Sequence, residues 1–314
     1  MSLRLEMLQV ARLAHRVLGD SASSVRDFFL RQQSDDGGFI DRNGRSDLYY
    51  TVFGLEGLIA LNIPVMESPG SKKAIENSTS RAREYVLSFA EPGKLDFVHL
   101  CCLARAWAAV TNLRATQSIL PARDELLQRI ASYRSVDGGF NPVIGSSSGT
   151  AYGAFLGLGA YQDLQVQIPE PGKLSRSLQS LEAADGGWTN ERPNQSVLNV
   201  RGATNAAAAA IAILRNLGAQ IPAGTGEWLL SQAHPQGGFL AVPNAPMPDL
   251  LSTATALHSL SALQVPFKPI QETCLDFIDS LWTNEGGFHG HWGDDHLDCE
   301  YTYYGLLALG HLSL

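Results

Sequence analysis

A Gly-Gly-aromatic tripeptide recurs five times, at Gly37-Gly38-Phe39, Gly138-Gly139-Phe140, Gly186-Gly187-Trp188, Gly237-Gly238-Phe239 and Gly286-Gly287-Phe288. Successive first glycines stand 101, 48, 51 and 49 residues apart. A fixed period near 50 residues marks a chain built from copies of one supersecondary unit, each of which buries its apolar face only against its neighbours. Because the first interval is about twice the rest, a degenerate unit is expected inside it, with Ser88-Phe89-Ala90-Glu91-Pro92-Gly93 where its glycines would stand. Six units then account for all 314 residues, and the chain reads as one domain over residues 1–314.

Each unit has the same internal order. It begins with an amphipathic stretch, such as SVRDFFLRQQ from Ser24 or ETCLDFIDSLW from Glu272, that runs up to the glycine pair. This reads as a helix capped by glycine, whose positive φ terminates helices, with the next aromatic folding back onto the helix it leaves. A polar loop follows. Then comes a segment that is apolar nearly all round: YTVFGLEGLIAL from Tyr50, HLCCLARAWAAV from His99, ATNAAAAAIAIL from Ala203, STATALHSLSAL from Ser252 and YTYYGLLALGHL from Tyr301. Helices of that kind are buried on most sides, while those with a charged face lie outside. Twelve helices alternating outer and inner predict an all-α fold, an (α/α)6 toroid with two layers. An open solenoid is the rival, but such arrays end in polar capping repeats and neither end of this chain supplies one.

Net charge excludes some functions. At −8 the chain lacks the clustered Lys and Arg that follow a nucleic-acid backbone. Its Ala-rich run, Ala206 to Leu214, is far shorter than a membrane span. The opening MSLRLEMLQVARLAHRVLG carries Arg and Glu where a signal peptide would be apolar, so it reads as an amphipathic helix of a cytoplasmic protein. Cys101, Cys102, Cys274 and Cys299 have no framework spacing and are expected as buried thiols, and the sequons at Asn77 and Asn194 then carry no meaning.

The segment QQSDDGGFIDRNGRSDLYYTVFGLEGL, Gln32 to Leu58, resembles the repeat of protein prenyltransferase β subunits. The GGF/GGW pattern with a preceding Gln also resembles the repeats of squalene-hopene cyclases. The resemblance covers essentially the whole chain and implies a toroid whose funnel takes an isoprenoid. For the prenyltransferases it further implies a diphosphate substrate, a zinc ion and a helical-hairpin α-subunit partner. Zinc in that family is held by an Asp, a Cys two residues on and a His in the next unit. Colinear matching places these at Asp249, Leu251 and Tyr301, which cannot bind zinc. A rotated match, Asp298 with Glu300 and then Asp47 with Tyr49 and His99 across the ring closure, does better, with Cys299 one residue out of place. Lacking a zinc-bound thiolate, protein prenylation of the family's usual kind is not expected. Cyclases of the hopene type need a DxDD acid and a second helical barrel, and neither occurs here.

Aspartates stand three residues ahead of four apolar segments, at Asp47, Asp96, Asp249 and Asp298. N-caps are the plain explanation, since a short carboxylate there accepts the free N–H groups of the first turn. The sixth unit adds a loop, His289 to Glu300, in which eight of twelve residues are metal ligands by type. Asp294, Asp295, Asp298, Glu300 and His99 are therefore the candidate ligands for zinc or magnesium. Asp294-Asp295-x-x-Asp298 also matches the DDxxD form that holds magnesium diphosphate in enzymes of another helical fold, and a solvated acidic loop is the rival. Candidate catalytic residues are Asp47, Asp298 and Tyr301. Tyr50, Phe53, Trp107, Tyr152, Phe155, Tyr301 and Tyr304 fall on the inner helices, either lining a funnel or packing the core. For a diphosphate the available cations are Arg42 and Arg45, which would face the acidic loop if the ring closes between the sixth and first units and otherwise read as exposed salt-bridge partners, with Lys94, Arg105 and Arg201.

Two patterns are set aside. Gly145-Ser146-Ser147-Ser148-Gly149 fits GxSxG but lies between helices, not at the strand–helix elbow a nucleophile needs. Cys101-Cys102 opens an inner helix and reads as core. The leading expectation is an enzyme handling an isoprenoid diphosphate or another apolar small molecule. The alternatives are a non-catalytic toroid binding a lipid or protein and a carbohydrate-active (α/α)6 barrel using Asp294 or Asp295.

Overall fold

A computed structural model describes residues 1–62, 69–89, 92–112, 123–192 and 200–314. Among them are fourteen α-helices and one two-residue hairpin. In chain order they are α1 (Leu3–Ala11), α2 (His15–Leu18), α3 (Ala22–Arg31), β1 (Phe39–Ile40), β2 (Ser46–Asp47), α4 (Leu48–Leu61), α5 (Pro69–Leu87), α6 (Phe97–Asn112), α7 (Arg123–Ala131) and α8 (Ala151–Asp163). There follow α9 (Pro171–Gln179), α10 (Thr204–Asn216), α11 (Thr225–Leu230), α12 (Leu250–Ala262), α13 (Gln271–Ser280) and α14 (Cys299–Leu312).

The toroid is closed. Helices α4, α6, α8, α10, α12 and α14 each pack on the next, and α14 packs back on α4. The outer helices α3, α5, α7, α9, α11 and α13 surround them, giving the six expected pairs. Inner helices point the same way, because their N-terminal ends are stitched together. Ala151, Thr204 and Leu250, each beginning or just inside an inner helix, donate their backbone N–H to the carbonyls of Asn190, Ala241 and Gly290 in the following unit. No described helix is long and apolar enough to cross a membrane.

The glycine pair does a different job from the one its sequence suggests. Outer helices end several residues earlier, α3 at Arg31 with Gln32 in αR geometry as its C-cap. The first glycine instead sits at the corner of a tight turn, with φ of 93° at Gly37 and 90° at Gly138. Gly37 N–H donates to Ser34 O and Ser34 N–H to Gly38 O, and the pattern repeats at Gly138, Gly186, Gly237 and Gly286. A side chain at Gly37 would collide with the Arg81 carbonyl as well as strain that φ.

The turn sends the chain back along the helix it left: Ile40, Asn141, Thr189, Leu240 and His289 each donate to the carbonyl eight residues before them. The aromatic ring, however, goes inward. Phe39, Phe140, Trp188 and Phe239 are fully buried, and the Phe39 N–H donates to Thr51 Oγ1 of α4 at 2.9 Å. Phe239 to Thr253 and Phe288 to Thr302 repeat that bond on α12 and α14. Gly54 of α4 leaves room for the Phe39 ring, as Gly157 does for Phe140 and Gly305 for Phe288. Each aromatic is thus a bolt from the turn into the inner helix. In the degenerate second unit, Ala90 and Glu91 lie outside the described residues, and so does Asn194.

Two helices exceed the expected twelve. The N-terminal α1 packs on α14, α4, α8 and α10, which lie on different sides of the ring, so it spans one end of the barrel. Leu3, Met7, Leu8 and Ala11 are buried there. The end it closes is that of the inner helices' C-termini: Leu3 N–H donates to Gln162 of α8, and Asn216 of α10 donates to the Met1 carbonyl. Arg4 reaches inward to Glu56 Oε1 at 2.9 Å and Asp163 Oδ1 at 3.2 Å, with all three side chains buried.

Candidate functional site: the funnel and its rim

With α1 as floor, the barrel opens at the N-terminal ends of its inner helices. Four of these are capped as expected. Asp47 accepts from Tyr49 N–H, Asp96 from His99 N–H, Asp249 from Ser252 N–H and Asp298 from Tyr301 N–H. Thr150 caps α8, and Ala203 leaves α10 without a side-chain cap.

Two of the caps are also joined across units. His99 lies between Asp47 Oδ2 (Nε2, 3.0 Å) and Asp96 Oδ1 (Nδ1, 2.8 Å). Only imidazolium donates from both ring nitrogens. The bond to Asp47 first, then that to Asp96, outweighs burial and raises His99 to about 9, while Asp47 and Asp96 are held low despite their burial. At the junction of the sixth and first units Arg42 clamps the acidic loop. Its Nε donates to Asp298 Oδ2 at 2.7 Å, and its Nη atoms donate to both Asp294 oxygens at 3.3 and 2.9 Å. The guanidinium also lies 5.3 Å from the Tyr301 ring centroid. Burial opposes the Asp294 charge, but the His296 N–H and the Arg42 fork hold its carboxyl below the ordinary range.

The expected metal donors therefore do not converge. Asp294 and Asp298 turn to Arg42, His99 has both nitrogens engaged as a cation, and Asp295 is exposed. Cys299 is buried, with its thiol pushed well up. Among the described residues no group of three or more His, Cys, Asp or Glu side chains is arranged to hold a metal ion. Zinc or magnesium does not fit this donor set.

Below the rim lies a chamber of about 420 Å³. Tyr49, Tyr152, Phe155 and Tyr304 form one wall, and Ala206, Ala208, Ala209 and Ala212 of α10 the other. The Ala run leaves the space. This volume lies within the roughly 300–1,000 Å³ usual for small-molecule sites. Among the described lining residues Glu300 is the one carboxyl, and none is Arg or Lys. Tyr49 OH donates to Glu300 Oε1 at 2.5 Å. Burial is the main cause that raises Glu300 to about 7; the Tyr49 bond opposes the rise and the Asp298 charge adds to it. Tyr49 is itself raised far above an ordinary phenol by burial and by the Glu300 charge. Deeper in the same wall His258 meets His311, Nδ1 to Nε2 at 3.0 Å, and burial lowers them to about 4 and about 3, so both are neutral.

Of the aromatics expected in the funnel, Tyr152, Phe155 and Tyr304 line the large chamber, and Phe53 lines a smaller one beside it. Trp107 does not. It is buried on the outer side of α6, with Arg83 5.9 Å over its ring. Tyr50 and Tyr301 stay at the rim, where burial and nearby carboxylates raise each to about 12. Arg45 is exposed, its backbone N–H bonded to Asp41, and Arg201 and Lys94 are exposed as well. The serine-glycine loop lies between α7 and α8, as its sequence implies. Missed in the sequence were Tyr49 and Glu300 as funnel residues. The signal was there: Tyr49 and Phe53 are four apart, as are Glu300 and Tyr304, one helix face in each case.

No protein of curated function matches the chain by sequence. Solved structures share its fold. Type II terpene cyclase MstE from Scytonema superposes with TM-score 0.61 at 13% identity, covering 94% of this chain and 97% of that one. Candida albicans protein geranylgeranyltransferase-I complexed with GGPP gives TM-score 0.64 at 14% identity, over 93% of this chain and 90% of that one. An inactive variant of an α-1,6-mannanase from Salegentibacter also reaches 0.64, at 15% identity over 94% and 98%. At such identities these likenesses concern the fold alone. By sequence, residues 8–84 and 206–313 match the model of the prenyltransferase alpha-alpha toroid domain; these are the units flanking the ring closure, and the chain belongs to that family.

Proposed function

We propose that the funnel binds an uncharged isoprenoid or a molecule of like shape, and that Glu300 is the acid–base group acting on it at the chamber's mouth. The single observation that carries this reading is a mostly apolar 420 Å³ chamber with one carboxyl among its described lining residues, held by Tyr49. The family, and the geranylgeranyltransferase and terpene cyclase that share the fold, favour an isoprenoid. A carboxyl near pH 7 exchanges protons readily at neutral pH, which is what general acid–base work needs. It is too weak an acid for an isolated alkene, so the group it serves is an oxygen: an epoxide, a carbonyl or an alcohol. Tyr49 steadies the carboxylate that remains after the proton has gone.

The diphosphate reading is the rival. It needs cations facing the tail's head group, whereas the large chamber has none in its described lining and Arg42 is spent on Asp294 and Asp298. A glycosidase reading finds still less support, because Asp294 is clamped, Asp295 is exposed and the chamber is apolar.

Equilibrium dialysis with geranylgeraniol and geranylgeranyl diphosphate tests the reading. The alcohol should bind one to one, and Ala209→Phe, which projects a ring into the chamber, should abolish binding. Product analysis of bound oxygenated isoprenoids should show turnover that Glu300→Gln removes. Failure of every isoprenoid to bind, or a diphosphate binding tenfold tighter than its alcohol, would overturn the proposal.

A further inference from the structure

The large chamber does not end at its aromatic wall. A smaller one of about 60 Å³ continues past it, sharing Met7, Tyr49, Tyr152, Phe155 and Tyr304 with the first. Its far side is polar, formed by Arg105 of α6 and Asp163 of α8, with Cys101 and Cys102 above them. Arg105 lies six residues beyond the rim residue His99, so about 9 Å further down the barrel at 1.5 Å per residue.

Arg105 is partly buried, and its buried Nε and Nη2 have no hydrogen-bond partner. Guanidinium donors removed from water without a partner are rare in folded proteins, since each carries a desolvation penalty. The charges around it are balanced. Arg4 and Arg105 face Glu56 and Asp163, with the phenols of Tyr303 and Tyr304 and the thiol of Cys102 as further titratable neighbours. An added anion would tip that balance, whereas a neutral oxygen accepts from Arg105 without doing so. The volume agrees, since at roughly 30 Å³ per water molecule it takes about two non-hydrogen groups of that size, too little for a diphosphate.

We propose that this end of the funnel is a polar subsite in which Arg105 donates to a hydroxyl or carbonyl oxygen of the ligand, while the hydrocarbon fills the larger chamber above. The inference rests on the reading of the funnel as an isoprenoid site. It makes the ligand a terpenoid oxygenated at both ends, one oxygen seated downward on Arg105 and the other toward Glu300.

Equilibrium dialysis of farnesol and of farnesene, its hydrocarbon counterpart, separates the possibilities. Without a buried partner the alcohol binds more weakly than the hydrocarbon, because its hydroxyl leaves water unpaired. With the subsite, the wild-type protein should bind farnesol at least as tightly as farnesene. Arg105→Met should weaken farnesol tenfold or more and leave farnesene within twofold. If Arg105→Met does not fold, Arg105→Lys and the wild-type comparison decide. Farnesol weaker than farnesene in the wild type, or both weakened alike in the variant, would mean that Arg105 holds ordered water only, and the subsite falls while the funnel stands. If neither compound binds, or Ala209→Phe leaves both unchanged, the funnel reading fails and takes the subsite with it.

Discussion

Replacing Glu300 by Gln should alter how stability depends on pH, in a window set by two proton affinities. Unfolded, Glu300 titrates near its ordinary 4.5; folded, burial raises it to about 7. Between those values the folded protein keeps a proton that the unfolded chain has released, so stability falls as pH rises. At about 1.4 kcal/mol for each pH unit separating the two affinities, the full cost of ionising Glu300 in the funnel is about 3 kcal/mol. Gln keeps the shape and the Tyr49 contact and has no proton to lose. Urea unfolding at intervals from pH 4 to pH 8.5 measures both proteins. Subtracting one curve from the other cancels the remaining titrating groups. The advantage of Glu300→Gln over the wild type should grow by about 3 kcal/mol between pH 4.5 and pH 8, most of it before pH 7.5. A difference that stays flat within about 0.5 kcal/mol would refute the buried-acid assignment, and with it the acid–base role. A difference that shrinks with pH would mean that Glu300 is stabilised as an anion, the opposite electrostatics.

His99 should act in a later window. Its charge is supported by Asp47 and Asp96, so its stabilisation is complete below pH 6.5 and fades through about 9. His99→Gln should remove about 1 kcal/mol, discounted for a side chain 32% exposed, and should flatten the alkaline fall of the unfolding curve. Arg4→Met leaves two buried carboxylates, Glu56 and Asp163, without the cation that bonds both, and should cost about 3–5 kcal/mol by urea unfolding. A cost under 1 kcal/mol would show that α1 is not held to the floor by that pair. Gly54→Ala should cost about 1–3 kcal/mol, because its methyl would overlap the Phe39 ring, and that overlap outweighs the better helix propensity. Gly44→Ala, at a positive φ but in open space, should lose only about 1 kcal/mol by thermal or urea unfolding.

The period of the glycine pairs made the six units and the closed ring legible, since each pair anchors one turn and each turn bolts one inner helix. The pairs did not reveal their own mechanism. A glycine near a helix end reads as its cap, but the register that puts Gly37 at a turn corner and Phe39 under Gly54 depends on contacts between separate helices. Helix α1 was visible as an amphipathic segment, and its place across the floor was not, because Arg4 finds Glu56 and Asp163 only after the ring has closed. At the rim, the caps were legible because they are local, residue to next turn. The metal set was less legible for the converse reason: residue types give ligand capacity, and only the fold shows that Arg42 bonds Asp294 and Asp298.

The same logic explains why the cavity lies where it does. All six inner helices are apolar, and a ring of equal side chains would fill its own centre. This ring is unequal. Tyr49, Phe53, Tyr152, Phe155 and Tyr304 project from α4, α8 and α14, while α10 offers Ala206, Ala208, Ala209 and Ala212. On the side of α4, α6 and α8 the rings leave about 60 Å³; toward α10 and α12 the small side chains leave about 420 Å³. An Ala run in one repeat out of six gains little as packing, because a larger side chain there would bury more apolar surface. Its emptiness, facing the one carboxyl among the described lining residues, is what a ligand would repay. Size is then set by α10 and chemistry by α14, two helices that need not change together, and a toroid of this plan can alter what it binds without disturbing the bolts that hold it shut.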